Sequence, residues 1–478
     1  MSLSFSQIRL QSGTVWEPWA PNHRSRRISP PSATGSLDYE LIISVKNLVE
    51  VCKCLRAWKS DAPGPDGVRL RQLTNQEIWA LMRALSECLH DGTYRPGQAR
   101  EVPIPKRSGG FRTIRIRGLF DRIVSAALHF ALDSVIDPHF LPMSHCSRPG
   151  RGCMTLLAMM SCAVRQTGYQ WLVNADVYHA FDEVPRTVAI NSFRPFITCP
   201  NLLSLIEVVL RGDGGQPVGI DQGAALSALA FNTTMHSLFD LRMEQRALPL
   251  AYRYLDNLVA LCTSETEAHS RLQEFTHVLS RGKLKTKDPT QEEPVIVDLR
   301  AASTVLLGFE LSTRDGLLQL AIAESTWESL EHNLRETYRK HASPTATASQ
   351  LCRSWCAYFT PGLRDPDAAV RRITAMLRSY GVREGIAQDR LYAAISQAQL
   401  TWAGLLEQTA AVFPSESPPV ELRSGQYLRG PLLPAETESP SAGPSPCWPS
   451  GHWGFYGATI RGRTVSLSHS TEVDPQCV

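Results

Sequence analysis

Two aspartates stand where a pair of carboxylates could hold metal ions. Asp176 ends the short apolar run 171–176, and Asp256 falls at the turn of a hairpin predicted over 250–262. If these strands are neighbours in one sheet, both carboxylates project from the same edge and can bind two Mg²⁺ ions. This arrangement suits phosphoryl transfer, because one ion lowers the pKa of an attacking 3′-hydroxyl and the other neutralises the leaving pyrophosphate. Either aspartate alone would more often be a turn or capping residue.

The elements around these aspartates are predicted from apolar periodicity and from turn residues. The predicted helices cover residues 44–57, 75–90, 118–135, 152–166, 201–211, 224–246 and 264–280, and the pattern is helical throughout 325–408. Strands are predicted at 171–176 and near 294–299 and 303–311, with hairpins at 102–116 and 250–262. Residues 1–36 are predicted to be an extended arm. Residues 411–478, rich in proline and serine, are predicted to be a weakly ordered tail or a docking strap.

Composition limits the classes of protein but does not choose among functions. The 478 residues carry a net charge of only +3, and 43% are hydrophobic, as in ordinary globular proteins. The apolar runs are too short for a transmembrane helix, and the N-terminus does not have the pattern of a secretory signal, so we expect a cytoplasmic protein without membrane contact. The twelve cysteines have no zinc-site spacing and are expected to be reduced thiols.

Ordered motifs place the two aspartates in a wider pattern. Along the chain stand GPDGV at 64–68, a predicted basic hairpin within 102–122, SRPGRG at 147–152, NADVYHAFD at 174–182, GIDQGAALS at 219–227, YLDN at 254–257 and LGF at 307–309. This order and spacing resembles reverse transcriptases, and most of all the prokaryotic branch of group II intron, retron and defence-associated ("unknown group") enzymes. The resemblance extends over about residues 60–312.

The resemblance implies an α+β protein with the right-hand polymerase fold. Fingers would cover residues 37–170, and a palm with a ferredoxin/RRM-like antiparallel sheet would cover 171–312. An α-helical thumb would follow over 313–410, where the aromatic stripe of Trp355, Tyr358 and Phe359 is predicted to be core. The arm (1–36) and the tail (411–478) would flank these domains.

The resemblance also implies roles for individual residues. Asp176 and Asp256 would be the catalytic carboxylates, and with the carbonyl of Val177 they would hold two Mg²⁺ ions, or Mn²⁺. The incoming nucleotide would contact Phe181 as a steric gate against a 2′-hydroxyl. The residues expected at the nucleotide are Lys106, Arg112, Phe181, Gln222 and Gly223. Asp182 is predicted to cap a helix instead of binding metal.

Template and primer would contact a second set of residues. Arg148 and Arg151 are expected along the template path, and the turn formed by Leu307, Gly308 and Phe309 is expected to grip the primer. Lys285 and Lys287 are both candidates for the lysine that protonates pyrophosphate, and the sequence does not choose between them.

Three positions depart from the family pattern. Asp221 stands in place of the usual proline, and Ala224 in place of the usual serine, so Asp221 is expected to repel phosphate near the template. In the box formed by Tyr254, Asp256 and Asn257, the asparagine replaces a second aspartate, which should weaken metal binding.

Two functions from different classes follow from these residues. The first is an RNA-directed DNA polymerase (reverse transcriptase, a nucleotidyltransferase) in bacterial antiphage defence, since neither a nuclease nor a ribonuclease H pattern is visible after the thumb. Its partners would be an RNA template such as a dedicated non-coding RNA, a DNA product, dNTPs, and a partner defence protein or a second copy of the chain. The alternative is a catalytically weakened polymerase-fold protein that binds RNA or a partner as a structural subunit, which Asn257, Asp221 and Ala224 would favour.

Overall fold

The computed structural model describes residues 37–57, 61–105, 111–213, 218–245, 250–288, 295–340, 344–381 and 384–412. The predicted arm, nearly all of the predicted tail and the turn of the first predicted hairpin therefore lie outside the described residues. The described residues divide into two compact units, one formed by residues 37–321 with 400–412 and the other by residues 322–399.

The first part of the first unit is a helical layer with one hairpin. Its elements are α1 (Tyr39–Ile43), α2 (Val45–Ala57), α3 (Asn75–His90), β1 (Arg100–Pro105), β2 (Phe111–Ile116), α4 (Leu119–Ile136) and α5 (Cys153–Thr167). A capping box starts α3, because the Thr74 side chain accepts from the Glu77 amide while the Glu77 carboxylate accepts from the Thr74 amide. The start of α4 is capped from a distance, since the Leu119 amide donates to the Asp66 carboxylate at 2.5 Å.

A four-stranded antiparallel sheet lies in the middle of this unit. The next elements along the chain are β3 (Trp171–Asp176), α6 (Ala180–Glu183), α7 (Arg186–Asn191), α8 (Pro200–Arg211), α9 (Ala225–Met235), α10 (Leu241–Gln245), β4 (Ala251–Tyr254), β5 (Asn257–Cys262), α11 (Glu265–Arg281) and β6 (Ile296–Asp298). The strand order is β4-β5-β3-β6, so the strand that ends at Asp176 is a neighbour of the hairpin that carries Asp256. The α11 helix packs against β3 and β5.

Helix α9 lies in the apolar core next to this sheet. Every residue from Leu226 to Met235 is buried, including four polar ones, Ser227, Asn232, Thr233 and Thr234. A buried polar group is stable only with a hydrogen-bond partner. The Asn232 amide donates to the Cys146 carbonyl at 2.9 Å, and both threonine hydroxyls donate to the Ala230 carbonyl.

A three-stranded sheet follows, formed by β7 (Thr304–Leu306), β8 (Phe309–Arg314) and β9 (Leu317–Ile322). The second unit is helical, with α12 (Glu324–Lys340), α13 (Pro344–Phe359), α14 (Pro366–Arg378) and the first part of α15 (Glu384–Val412). Its core contains Trp355, whose ring centroid lies 4.4 Å from that of Trp327 and 5.0 Å from that of Phe359. The aromatic stripe was therefore rightly predicted to be core for Trp355 and Phe359, which are buried.

The predicted elements agree with this architecture to within a few residues in most places, and the α+β class is confirmed. The strand predicted over 303–311 is wrong as one element, because the chain turns at residues 307–308 and forms β7 and β8. The short helices α6 and α7 and strand β9 were not predicted. A single turn of helix is too short for apolar periodicity to show.

Three further findings concern the described residues alone. The ten cysteines among them are free thiols, seven of them buried. No helix in the described ranges is long and apolar enough to cross a bilayer. Within the same ranges, His, Cys, Asp and Glu side chains nowhere gather in groups of three or more that could hold a metal ion.

Candidate active site

The two predicted catalytic aspartates lie on adjacent segments at one edge of the four-stranded sheet. Strand β3 ends at Asp176, which pairs directly with Asn257, the first residue of β5. One step further along, the amide of Val177 donates to the carbonyl of Asp256 at 2.9 Å. The sheet thus fixes the backbones of Asp176 and Asp256 next to each other, as the strand pattern predicted.

A third segment borders the same edge. The amide of Lys287 donates to the carbonyl of Asp176 at 2.7 Å, and the amide of Tyr178 donates to the carbonyl of Lys285 at 2.8 Å. The ammonium of Lys285 lies 4.3 Å from the centroid of the Tyr178 ring, a cation–π distance. Both lysines therefore border the aspartates, and the choice between them stays open.

The donors at this edge fit a hard divalent cation. Asp176 is exposed and Asp256 half-buried, and the amide nitrogen of Asn257 donates to Oδ1 of Asp256 at 3.3 Å. Mg²⁺ is commonly held by one or two carboxylates, with water and substrate phosphates completing its shell. Asp176, Asp256 and the carbonyl of Val177 are the ligands that this chain would supply.

A buried arginine holds the hairpin that carries Asp256. The guanidinium of Arg253 is fully buried and makes a two-pronged ion pair with Asp240, with both N···O distances at 2.8 Å. It also donates to the Oδ1 of Asn232 at 2.8 Å and to the Oγ of Ser144 at 2.7 Å. Its partners therefore come from two segments of the chain, the continuous helical run 225–245 and the loop at Ser144.

The same arginine reaches the turn itself. Arg253 donates to the carbonyl of Leu255 at 3.1 Å, and Leu255 has a φ of +57°, which costs roughly 1–2 kcal/mol for a side-chain-bearing residue. The turn next to Asp256 is thus held in a conformation that the chain alone disfavours. Sequence reasoning missed Arg253, whose only signal is a charge inside an otherwise apolar strand.

Tyr254, the first residue of the same box, points into the protein. It is buried, and burial raises the pKa of its hydroxyl. A phenol with a raised pKa stays protonated near neutral pH, and Tyr254 fills space beside the turn.

Phe181 is packed in the core near this edge. Its side chain is 5% exposed, and its ring stacks on that of Phe231 with centroids 5.3 Å apart. The carbonyl of Phe181 accepts from the amide of Ile220 at 2.8 Å, which joins it to the loop at 219–223. The gate role stays a prediction. Asp182 lies inside α6 and is exposed, so the cap predicted for it is wrong.

The loop at 219–223 lies against β2. The amide of Arg115 donates to the carbonyl of Gln222 at 3.2 Å. Gly223 has a φ of +120°, and a Cβ on it would lie 3.1 Å from Cγ2 of Ile114, so a glycine suits this close approach. Arg112 lies in β2, but its side chain is not among those described, and Lys106 lies outside the described residues.

The two substitutions in this loop have different consequences. Asp221 does not present a bare charge to phosphate, contrary to expectation, because it is 12% exposed and pairs with the guanidinium of Arg117 at 2.5 Å. Ala224 stands at the N-cap of α9, where its side chain accepts no hydrogen bond, and the Oγ of Ser125 instead accepts from the Leu226 amide at 3.1 Å.

Arg148 does not fit its predicted contact with a template. Its side chain is 4% exposed and pairs with Asp137 at 2.6 Å. The guanidinium also donates to the carbonyls of Leu141, Ser144, Asp137 and Phe140. These hydrogen bonds make Arg148 a structural residue that holds the surrounding loop together. The prediction from the basic motif was wrong because the sequence does not show that this side chain is buried.

Arg151 remains compatible with its predicted place on the template path. It is only partly buried, and one nitrogen donates to the carbonyl of Pro142 at 2.9 Å. Burial lowers its pKa to about 10, which leaves it a cation at neutral pH.

The predicted primer-gripping turn is a two-residue turn between β7 and β8. Leu307 and Gly308 have φ values of +53° and +90°, the signs expected of a type I′ hairpin. Phe309 is fully buried, so its ring anchors the turn from inside. Asn174, two residues before Asp176, donates to the carbonyl of Val305 at 3.1 Å and ties this hairpin to β3.

Comparison with known proteins agrees with this geometry. Residues 104–288 match the protein family described as reverse transcriptase (RNA-dependent DNA polymerase). This part of the chain is a reverse transcriptase domain. It contains both aspartates of the sheet edge, the loop at 219–223 and the segment with Lys285 and Lys287. A right-hand polymerase fold is accordingly confirmed, while the predicted domain boundaries stay predictions.

Individual relatives share only part of their length with this chain. The group II intron-encoded protein LtrA of Lactococcus lactis subsp. cremoris is 28% identical over 194 residues, which cover 37% of this chain and 32% of LtrA. The protein YkfC of Escherichia coli K12 is 26% identical over 219 residues, or 44% of this chain and 57% of YkfC. Both alignments thus support a prokaryotic, group II-like reverse transcriptase domain and leave much of each relative unmatched.

One solved structure shares a more distant likeness. Apo telomerase from Candida tropicalis, truncated from the C-terminal domain, aligns with a TM-score of 0.31 and 11% identity over 51% of this chain and 60% of that one.

Proposed function

We propose that this chain is an RNA-directed DNA polymerase that adds dNTPs to a primer by two-metal phosphoryl transfer. The observation that carries the proposal is the junction at the sheet edge, where Asp176 pairs with Asn257 and the Val177 amide bonds to the Asp256 carbonyl. The match of residues 104–288 to reverse transcriptases supports it independently.

The chain's own groups would contribute by position and charge. When bound, two Mg²⁺ ions would activate the 3′-hydroxyl and stabilise the charge of the leaving pyrophosphate. Asp176 and Asp256 supply the anionic ligands, and the network under Arg253 keeps the second of them in place. Lys285 or Lys287 would then give a proton to the departing pyrophosphate.

Substrate selection would come from the surfaces next to the carboxylates. The ring of Phe181 would exclude a 2′-hydroxyl, and the backbone at Gln222 and Gly223 would contact the template and the incoming base. The turn of Leu307 and Gly308, tied to β3 through Asn174, would hold the primer end.

Primer extension tests this proposal. Purified protein would be given an RNA template, a DNA primer, labelled dNTPs and Mg²⁺, beside an Asp176→Asn/Asp256→Asn double variant of the same measured thermal stability. We expect extension that follows the RNA sequence and is absent from the double variant. Equal traces of product from both proteins would instead favour the structural, RNA- or partner-binding alternative that Asn257 suggests.

We also propose a cellular role in bacterial antiphage defence. The enzyme would act in the cytoplasm with a dedicated non-coding RNA, and with a partner protein or a second copy of the chain. The resemblance of the ordered motifs to the defence-associated branch supports this role. Expression in a phage-sensitive host should lower plaque numbers, and the double variant should restore them. Sequencing of co-purified RNA should yield one dominant species, and a random transcript pool would contradict a dedicated RNA.

A further inference from the structure

A buried ion pair joins the loop at 219–223 to the fingers. Nε of Arg117 donates to Oδ2 of Asp221 at 2.5 Å, although the two residues are 104 positions apart. The side chains are 9% and 12% exposed. A pair so nearly buried is sensitive to the loss of either partner, because the remaining charge stays in a poorly solvated place.

The pair ends a row of contacts between the loop and β2. From Ile114 in β2 to Arg117 just after its end, the partners run backward along the loop, from Gly223 through Gln222 to Asp221. The loop therefore lies antiparallel to one edge of β2, while the other edge pairs with β1. The side chain of Arg115 reaches across to Glu101 of β1 at 3.2 Å.

Arg117 is held in place by more than its ion pair. Its guanidinium also donates to the carbonyl of Gly97 and lies 3.9 Å from Asp213. Its backbone is also held, since Arg117 directly precedes Gly118, the N-cap of α4. The Arg117 side chain is thus held in one position, and Asp221 is the group that attaches the loop to it.

We infer that Arg117 and Asp221 are a positioning pair that fixes the loop of Gln222 and Gly223 to β2, so that the loop and the β1–β2 hairpin move as one body around the incoming nucleotide. This inference rests on the proposed polymerase function for its catalytic meaning. Neither residue touches the nucleotide in this scheme. Both act through the backbone of Gln222, whose carbonyl accepts from the amide of Arg115.

Hydrogen exchange of the Arg115 amide measures the attachment without any need for activity. In Asp221→Asn and Arg117→Gln proteins we expect this amide to exchange about tenfold faster than in the wild type. Arg117→Lys keeps the charge but not the guanidinium fork, and should show an intermediate rate. It also serves as the second variant should Asp221→Asn fail to fold.

A matched control separates positioning from general loss of a buried charge pair. Asp137 and Arg148 form a pair of similar burial, 11% and 4% exposed with an N···O distance of 2.6 Å, away from the loop. Asp137→Asn should lower thermal stability as Asp221→Asn does while leaving Arg115 exchange unchanged. Faster Arg115 exchange in Asp137→Asn would overturn the inference, and so would unchanged exchange in Asp221→Asn.

Steady-state kinetics give the second readout. Asp221→Asn should raise the KM for dNTP about tenfold with kcat within about threefold of the wild type, and Arg117→Lys should recover part of that loss. A changed exchange rate with an unchanged KM would overturn the positioning role. A wild-type protein without polymerase activity would refute the proposed function instead, and the exchange experiment would still decide whether the pair attaches the loop.

Discussion

Asp176 and Asn257 face each other as directly paired residues of two antiparallel strands. Asn257 also donates from its side chain to the carboxylate of Asp256 at 3.3 Å. The asparagine that replaces the second aspartate of the box is therefore a neighbour of both catalytic candidates. It adds a neutral amide where a third carboxylate would add charge, and this lowers the repulsion between the groups when no cation is present.

Asn257→Asp should strengthen cation binding and lower the stability of the cation-free protein. The new carboxylate would raise the negative charge of the site, so we expect the Mg²⁺ concentration at half-maximal thermal stabilisation to fall about tenfold. Without divalent ions, the like charges should cost about 1 kcal/mol of the free energy of unfolding. Asn257→Ala adds no charge and should show no gain in Mg²⁺ affinity. A midpoint that does not move in Asn257→Asp would refute a metal site at this edge.

Arg253→Met should destabilise the protein severely. It leaves Asp240 buried without its cation and releases the Leu255 carbonyl, so we expect a loss of about 3–5 kcal/mol in the free energy of unfolding by urea. Arg300→Met provides the contrast, because Arg300 is 58% exposed in its pair with Asp298, and it should cost at most about 1 kcal/mol. Similar losses in both variants would show that the buried network does not anchor the turn.

Phe181→Ala should relax discrimination against ribonucleotides. The matched control is Phe231→Ala, because it removes the other ring of the same stack and leaves a comparable cavity. Each variant should lose about 3–5 kcal/mol of stability. Only Phe181→Ala should raise the rNTP-to-dNTP ratio of kcat/KM, by about tenfold. The gate assignment fails if this ratio stays constant, or if it rises equally in both variants.

Asp121 should give the stability of the fold a characteristic pH dependence. Burial raises the pKa of this carboxyl to about 6, although the Tyr94 hydroxyl and the Gly97 amide both donate to it. Because the folded protein favours the protonated form, this contribution is fully present below about pH 4 and is lost as the pH rises through about 6.

Urea unfolding of the wild type and of Asp121→Asn, from pH 4 to pH 7, isolates that contribution. The wild type should lose about 2 kcal/mol relative to the variant over this range, and parallel curves would contradict a raised pKa. The other carboxyl groups titrate alike in both proteins and cancel in the comparison.

The backbone of the candidate site was predictable from the sequence because local signals determine it. The apolar run that ends at Asp176 and the hairpin with Asp256 at its turn follow from strand patterning and turn residues. Both lie where predicted, and β3 pairs with β5. The turn at Leu307 and Gly308 was also predicted from the sequence, although one continuous strand was predicted across it.

The side-chain roles that failed depend on burial and on partners that helix and strand patterns do not reveal. Arg148 looked like a basic residue on a path for nucleic acid, but Asp137 and several carbonyls surround it. Asp221 looked like a repulsive charge until Arg117 was found beside it. Arg253 gave only the weak signal of a charge in an apolar strand, and one of its partners, Ser144, is 109 residues away. Sequence patterns report the spacing of residues along the chain. Which side chains are buried, and which charges pair, is determined only when the chain folds.

Primer extension by three single variants tests most directly whether the Asp176–Asp256 edge carries the chemistry. Asp176→Asn and Asp256→Asn each remove one carboxylate from the edge, whereas Asp182→Asn changes an exposed aspartate six residues beyond Asp176. With an RNA template, dNTPs and Mg²⁺, we expect the first two to lose at least about a hundredfold in kcat/KM, and Asp182→Asn to stay within about threefold of the wild type. Wild-type rates in Asp176→Asn or in Asp256→Asn would contradict catalysis at this edge.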